Sequence, residues 1–129
     1  LLKETVVAVL SEFGRTPRIS HAASPGGGLA RGAEGVTQPG RDHWPHAMSF
    51  LFSCGGIPEG QVIGSPARLG EHPADRRVGA GDFLATIYHH LGIDYEKVTL
   101  PDGTGRPVHI VQNGKAIPEL IAGGRPEAR

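Results

Sequence analysis

Residues 5–17 read Thr5-Val6-Val7-Ala8-Val9-Leu10-Ser11-Glu12-Phe13-Gly14-Arg15-Thr16-Pro17, and the first six of them decide the fold class. TVVAVL is a continuous apolar run rich in β-branched side chains, too short for a helix and without the alternation of a half-exposed strand. Such a run fits a strand covered on both faces, the usual state in a parallel sheet. Residues 48–54 (MSFLFSC) read as a second strand that stops at Gly55-Gly56, and residues 61–63 as a short third at an edge or before a turn. One helix is well marked over residues 82–91 (DFLATIYHHL). Leu84, Ile87, Tyr88 and Leu91 recur at i, i+3, i+4 and i+7, Asp82 can cap its start and Gly92 can follow its end. His89 and His90 lie off that apolar stripe and are expected in solvent. Further on, Pro101-Asp102-Gly103 marks a turn, residues 107–111 a short strand and residues 117–121 one or two helical turns. Strands feeding loops with a covering helix make an α/β layer. About three strands and one good helix cannot cover both faces of such a sheet. Residues 1–122 are therefore expected to form part of a domain whose remainder lies elsewhere, and residues 123–129 to be a disordered tail.

Composition sets bounds on function. The 129 residues carry 13 basic and 13 acidic side chains. That balance excludes a polyanion-binding tail and gives no pull toward nucleic acid or acidic lipid. With 20 glycines and 11 prolines the chain approaches the roughly 25–30% of low-complexity sequence, so much of it is loop. The longest loop is residues 14–41, with Pro25-Gly26-Gly27-Gly28 at its centre, either a disordered insertion or a functional lid. No apolar stretch approaches the roughly 20 residues of a membrane span. The single cysteine, Cys54, reads as a buried thiol in an apolar run. Neither an initiator methionine nor a targeting signal precedes the first strand, which sets the expectation of a chain cut from a longer protein.

Two constellations carry chemistry. The first strand runs directly into Glu12 and Arg15, and ligands of open parallel sheets bind outside the carboxyl ends of strands. Glu12 offers a hard oxygen ligand and Arg15 a permanently charged fork for an oxyanion. The same pair also reads as solvated loop charges. The second constellation, Gly40-Arg41-Asp42-His43-Trp44-Pro45-His46, pairs an oxygen and a nitrogen ligand suited to zinc or manganese, with Arg41 able to neutralise phosphate or sulfate. A turn histidine bonded to a carboxylate is the plainer alternative for Asp42 and His43.

In their order along the chain, VVAVLSEFGRTPRI, GRDHWPHAMSFLFSCGGIPEGQVIGSP, DFLATIYHHLGID and DGTGRPVHIV resemble the carboxy-terminal part of a bacterial family of unknown function in the alkaline-phosphatase/sulfatase superfamily. The resemblance implies an alkaline-phosphatase-like sheet covered by helices, with long Gly/Pro-rich loops. It implies a hydrolase of anionic sulfate or phosphate esters that uses a divalent metal, zinc, manganese or calcium, and a covalent nucleophile. Glu12 stands where the superfamily commonly has an Asp-His-Gly of metal ligands, here Glu12-Phe13-Gly14, and His43 with Asp42 resembles the later histidine that completes the shell. Glu12, Asp42 and His43 are thus the expected metal ligands, and Arg15 and Arg41 the expected substrate contacts. The nucleophile belongs to the amino-terminal half, which these residues do not include, so this chain alone is expected to be inactive. Export of the whole protein stays open. The competing expectation is a non-catalytic binding or structural module that keeps the fold.

Overall fold

The computed structural model describes residues 1–27 and 32–121. It is a mixed α/β structure of short antiparallel strand pairs and two helices, divided into two compact units that interleave along the chain. Leu1–Val9, Leu51–Gly64 and the chain from Arg76 make the first unit; Leu10–Phe50 and Ser65–Asp75 make the second. The expected tail falls outside the described residues.

In the first unit, β1 (Val7–Val9) pairs antiparallel with β6 (Leu51–Ser53), with Ala8 opposite Phe52. This corrects the parallel, doubly buried strand expected from TVVAVL. Val7 and Val9 flank a half-buried Ala8, and Val9 is 61% exposed. A run without alternation matches a strand covered on both faces, yet here the ladder shows the one-sided burial typical of antiparallel pairs. Its inward residue, Phe52, meets α1 (Ala80–His90) edge to face, with ring centroids of Phe52 and Phe83 6.0 Å apart. All five strand pairs among the described residues are antiparallel. Residues 61–63 form no strand, and Val62 is exposed.

Helix α1 starts earlier than the expected Asp82 cap places it, since Gly79 is the N-cap and Asp82 is the third residue of the helix. The Asp82 carboxylate accepts the Gly79 N–H at 2.8 Å, and Gly92 beyond the end takes φ +73°, which glycine adopts without strain. Its buried face, however, is a different one from the apolar stripe. Leu84 is 43% and Leu91 58% exposed, whereas Phe83, Ala85 and Thr86 are buried. Asp82, Thr86 and His90, at i, i+4 and i+8, share a face and each bonds the segment that follows β10 (Pro107–His109). Asp82 Oδ1 accepts the Lys115 N–H at 2.9 Å, Thr86 Oγ1 accepts the Ile117 N–H at 2.9 Å, and His90 Nε2 donates to the Leu120 carbonyl at 3.0 Å. The Tyr95 hydroxyl takes the intervening Ala116 N–H at 3.2 Å. Under these bonds Ala116, Ile117 and Leu120 join Phe83 and Ala85 in the core, the last of them on α2 (Pro118–Ile121). His90 is therefore half-buried, not solvent-facing, and the His89 Nε2 is buried as well. A five-residue turn, residues 102–106, closed by the Asp102 carboxylate joins β9 (Thr99–Pro101) to β10.

The second unit turns the expected long loop into an irregular hairpin. β2 (Gly14–Arg15) pairs with β5 (His43–Trp44), and β3 (Ser20–Ala23) with β4 (Thr37–Gly40). Neither SHAA nor TQPG carries an alternating apolar pattern, which is why sequence marks them as loop. Ser24, buried, closes the hairpin stem through its amide to Val36 and its hydroxyl to Gly32. Part of the tip, Gly28 included, lies outside the described residues. β7 (Ser65–Pro66) and β8 (Pro73–Asp75) form a smaller hairpin, whose turn carbonyl at Glu71 accepts the Trp44 indole N–H at 2.6 Å.

Thr86 is fully buried with its hydroxyl bridging the Asp82 carbonyl and the Ile117 amide. Thr86→Val keeps the shape and strands the Ile117 N–H. The expected cost is about 1–3 kcal/mol in denaturant unfolding, with faster amide exchange at Ile117. Acid should weaken the same unit in two steps. Burial pushes the His90 ring below its usual 6.5, so its contribution is whole above 6.5 and lost as pH falls through the lower folded value. Glu119, chelated by Arg76 through two bonds of 2.7 Å, is pushed down to about 2 from 4.5, so its contribution is lost between those values. Unfolding midpoints measured across pH should show both steps, and Glu119→Gln should remove the lower one.

Candidate functional site

The two sequence constellations meet in the second unit. β2 and β5 place Arg15 opposite His43 and Gly14 opposite Trp44. Past this ladder the register changes: four residues, 16–19, face two, 41 and 42, before Ser20 pairs with Gly40. Such an excess leaves backbone groups without ladder partners. Backbone and side-chain groups of the two motifs supply them. The Thr16 amide donates to the Asp42 carbonyl at 3.0 Å, and the Thr16 hydroxyl accepts the Asp42 amide at 3.0 Å while donating to the Arg18 carbonyl at 3.0 Å. Arg15 Nη1 donates to the Arg41 carbonyl at 3.1 Å; in return Arg41 donates through Nη2 to the Arg15 carbonyl at 3.4 Å and through Nε to the Thr16 carbonyl.

Aromatic contacts flank the same ladder. The Phe13 and His43 rings are stacked with centroids 3.7 Å apart and planes 26° apart, and the Arg15 guanidinium carbon lies over the Phe13 ring at 5.5 Å. Trp44 meets His46 edge-on at 4.8 Å. Gly14 is obligatory here for a spatial reason, since a Cβ at that position would collide with the Ala47 carbonyl oxygen.

Glu12, Arg15, Arg41, Asp42 and His43 are all exposed. The structure brings Arg15, Arg41, Asp42 and His43 together on one hairpin, with Glu12 three residues before Arg15. Among the described residues no three His, Cys, Asp or Glu side chains gather as a metal would require. What the described residues offer is an oxygen and a nitrogen donor on consecutive residues, Asp42 and His43, not a closed shell. Sequence reasoning passed over Phe13, Gly14 and Thr16. Their signal was present only as pattern, because GRTP and GRDH pair as strands while neither has strand composition.

The family described as "Protein of unknown function (DUF1501)" matches the chain over residues 1–121. The chain belongs to the DUF1501 family. No curated protein and no solved structure matches it. In this DUF1501 chain the match takes in both units and both motifs. No helix among the described residues is long and apolar enough to cross a membrane.

Gly14→Ala tests whether the two motifs depend on their close approach. Its Cβ meets backbone, not a side chain that could swing away, so the ladder must open or shift. The expected loss is about 1–3 kcal/mol in unfolding free energy, and disappearance of cross-strand nuclear Overhauser contacts between Arg15 and His43.

Proposed function

We propose that this DUF1501 chain is the carboxy-terminal part of a metal-dependent hydrolase of sulfate or phosphate esters, akin to the alkaline-phosphatase/sulfatase enzymes. Arg15 and Arg41 meet the anionic oxygens of the ester, while Glu12, Asp42 and His43 contribute ligands to a divalent ion, zinc, manganese or calcium. Support comes from the β2–β5 ladder, which sets Asp42, His43 and both guanidinium groups on one exposed hairpin although Arg15 and Arg41 stand 26 residues apart. Each guanidinium has five N–H donors in a planar fork. Arg15 spends one nitrogen and Arg41 two on backbone carbonyls, which leaves donors for an anion and fixes the plane in which they point. A fork held in advance suits sulfate and phosphate through paired bonds, and its charge stabilises negative charge that develops during transfer. The ion, when bound, would polarise an ester oxygen. Its remaining ligands and the nucleophile come, on this reading, from the rest of the protein.

A second reading is a binding or structural module without catalysis. It is favoured by those same arginine bonds, which hold the hairpin across its irregular register whether or not an ester is bound.

Metal content and turnover of the full-length protein separate the two. The hydrolase reading expects a divalent ion in stoichiometric amount by elemental analysis, lowered in His43→Ala. It also expects Arg41→Lys, which cannot reach two carbonyls and an anion at once, to hydrolyse model sulfate and phosphate esters about 10²-fold more slowly. A metal-free, inactive full-length protein leaves the structural module.

A further inference from the structure

Among the described residues of the paired motifs, the Phe13 ring meets the side chains of both a proposed metal ligand, His43, and a proposed anion contact, Arg15. Phe13 is half-buried, while His43 and Arg15 are exposed. Exposed side chains of this size ordinarily sample several rotamers, and fixing them costs conformational entropy. Here the His43 imidazole lies flat on Phe13 at 3.7 Å, and the Arg15 guanidinium sits over the same ring at 5.5 Å. Aromatic stacking of this kind contributes beyond area burial, and a guanidinium over a ring is attracted to its negative face even when exposed. Either is enough to select one rotamer from a few. The arrangement follows from the backbone. Phe13 lies in the bend that leads into β2, two residues before Arg15, and Arg15 is directly opposite His43 across the ladder, so one ring can reach both side chains. Gly14 lets that strand lie against Ala47, and the Ser11 hydroxyl donates to the Phe13 carbonyl at 2.7 Å.

We propose that Phe13 is a positioning residue, whose ring sets the plane of the His43 imidazole and draws the Arg15 guanidinium onto the same face of the β2–β5 ladder. Its functional meaning rests on the reading of His43 as a metal ligand and Arg15 as an anion contact. Phe13 itself touches neither ion. A ring already occupied by His43 and Arg15 is a poor platform for an aromatic group of the substrate, so its effect is transmitted through those two side chains.

The test uses the full-length protein, with Phe13→Leu to remove the ring and Phe13→Tyr to retain it. In carbon–proton spectra, with the His43 ring signals assigned through their loss in His43→Gln, stacking should displace those signals upfield by the ring current of Phe13. Phe13→Leu should return them to the values of a free histidine, and Phe13→Tyr should keep them displaced. Zinc affinity, measured by titration with zinc alone, should fall about tenfold or more in Phe13→Leu and stay within about twofold in Phe13→Tyr, the scale expected when a ligand loses its outer support. Undisplaced His43 signals in the parent protein overturn the proposal, as does a Phe13→Leu protein whose His43 signals remain displaced. A parent that shows the displacement and its loss in Phe13→Leu, yet binds no zinc, retains Phe13 as the positioning residue and instead removes the metal from the proposed function. If Phe13→Leu fails to fold, the parent spectrum and Phe13→Tyr still decide.

Discussion

The first unit depends on one constraint: an irregular segment, residues 113–117, lies against a helix and brings backbone N–H groups that have no ladder or helix to pair with. Leaving one such group buried and unpaired costs about 1–3 kcal/mol, as much as burying a large apolar side chain gains. Ile117, 2% exposed, could not be buried at a profit without a partner for its own amide. Thr86 provides it, Asp82 serves Lys115 and Tyr95 serves Ala116. Closeness has its own requirement, met at Gly81, where a Cβ would strike the Asn113 carbonyl oxygen. The polar stripe Asp82–Thr86–His90 is thus the reason that the apolar contacts of Phe83, Ile117 and Leu120 can form at all.

The second unit solves the same problem with charge. Four residues facing two, between the β2–β5 and β3–β4 ladders, leave the carbonyls of Arg15 and Thr16 and the amide of Asp42 outside regular pairing. Arg41 and Thr16 satisfy them. In both units the hydrogen-bonding needs of non-repetitive backbone choose the side chains, which is why polar residues stand where hydrophobic patterning looks for apolar ones.

That choice also explains what could be read from sequence. The helix was legible because Asp82 and Gly92 lie near its ends and act there by local chemistry, although Asp82 does so from the third helical position and α1 runs from Ala80 to His90. Its buried face was not, since periodicity counts Leu84 and Leu91 as core and discounts Thr86, whose burial depends on an amide 31 positions away. TVVAVL was legible as a strand but not as an antiparallel one, because burial on two faces and burial on one with an exposed valine rim have the same apolar composition. The motif residues Arg15, Arg41, Asp42 and His43 were legible as a group; their joint placement follows from a ladder between segments without strand propensity. Glu12 was legible only as a carboxylate after a strand, and no hydrogen bond or ion pair of its side chain among the described residues adds to that.

Charge gives the strongest physical connection between this scaffold and its proposed use. The chain is neutral overall, and the ion pairs Arg76–Glu119, Lys97–Asp94 and Arg106–Asp102 all lie in the first unit. Arg15 and Arg41 have no carboxylate partner among the described residues; they meet backbone carbonyls and, for Arg15, the Phe13 ring. A carbonyl carries only a partial charge, so the two guanidinium groups keep most of their charge on one exposed hairpin, where Asp42 beside Arg41 is the acidic side chain nearest in sequence. Near such a pair an isolated divalent cation is disfavoured by like-charge repulsion, whereas an anion is attracted, and both effects are moderated by salt within about 8–10 Å. On the proposed reading, therefore, cation and anion cannot bind as independent events. A sulfate or phosphate oxygen that neutralises the guanidinium pair removes the repulsion felt by an ion at Asp42 and His43, and by linkage the ion must strengthen the anion by the same factor.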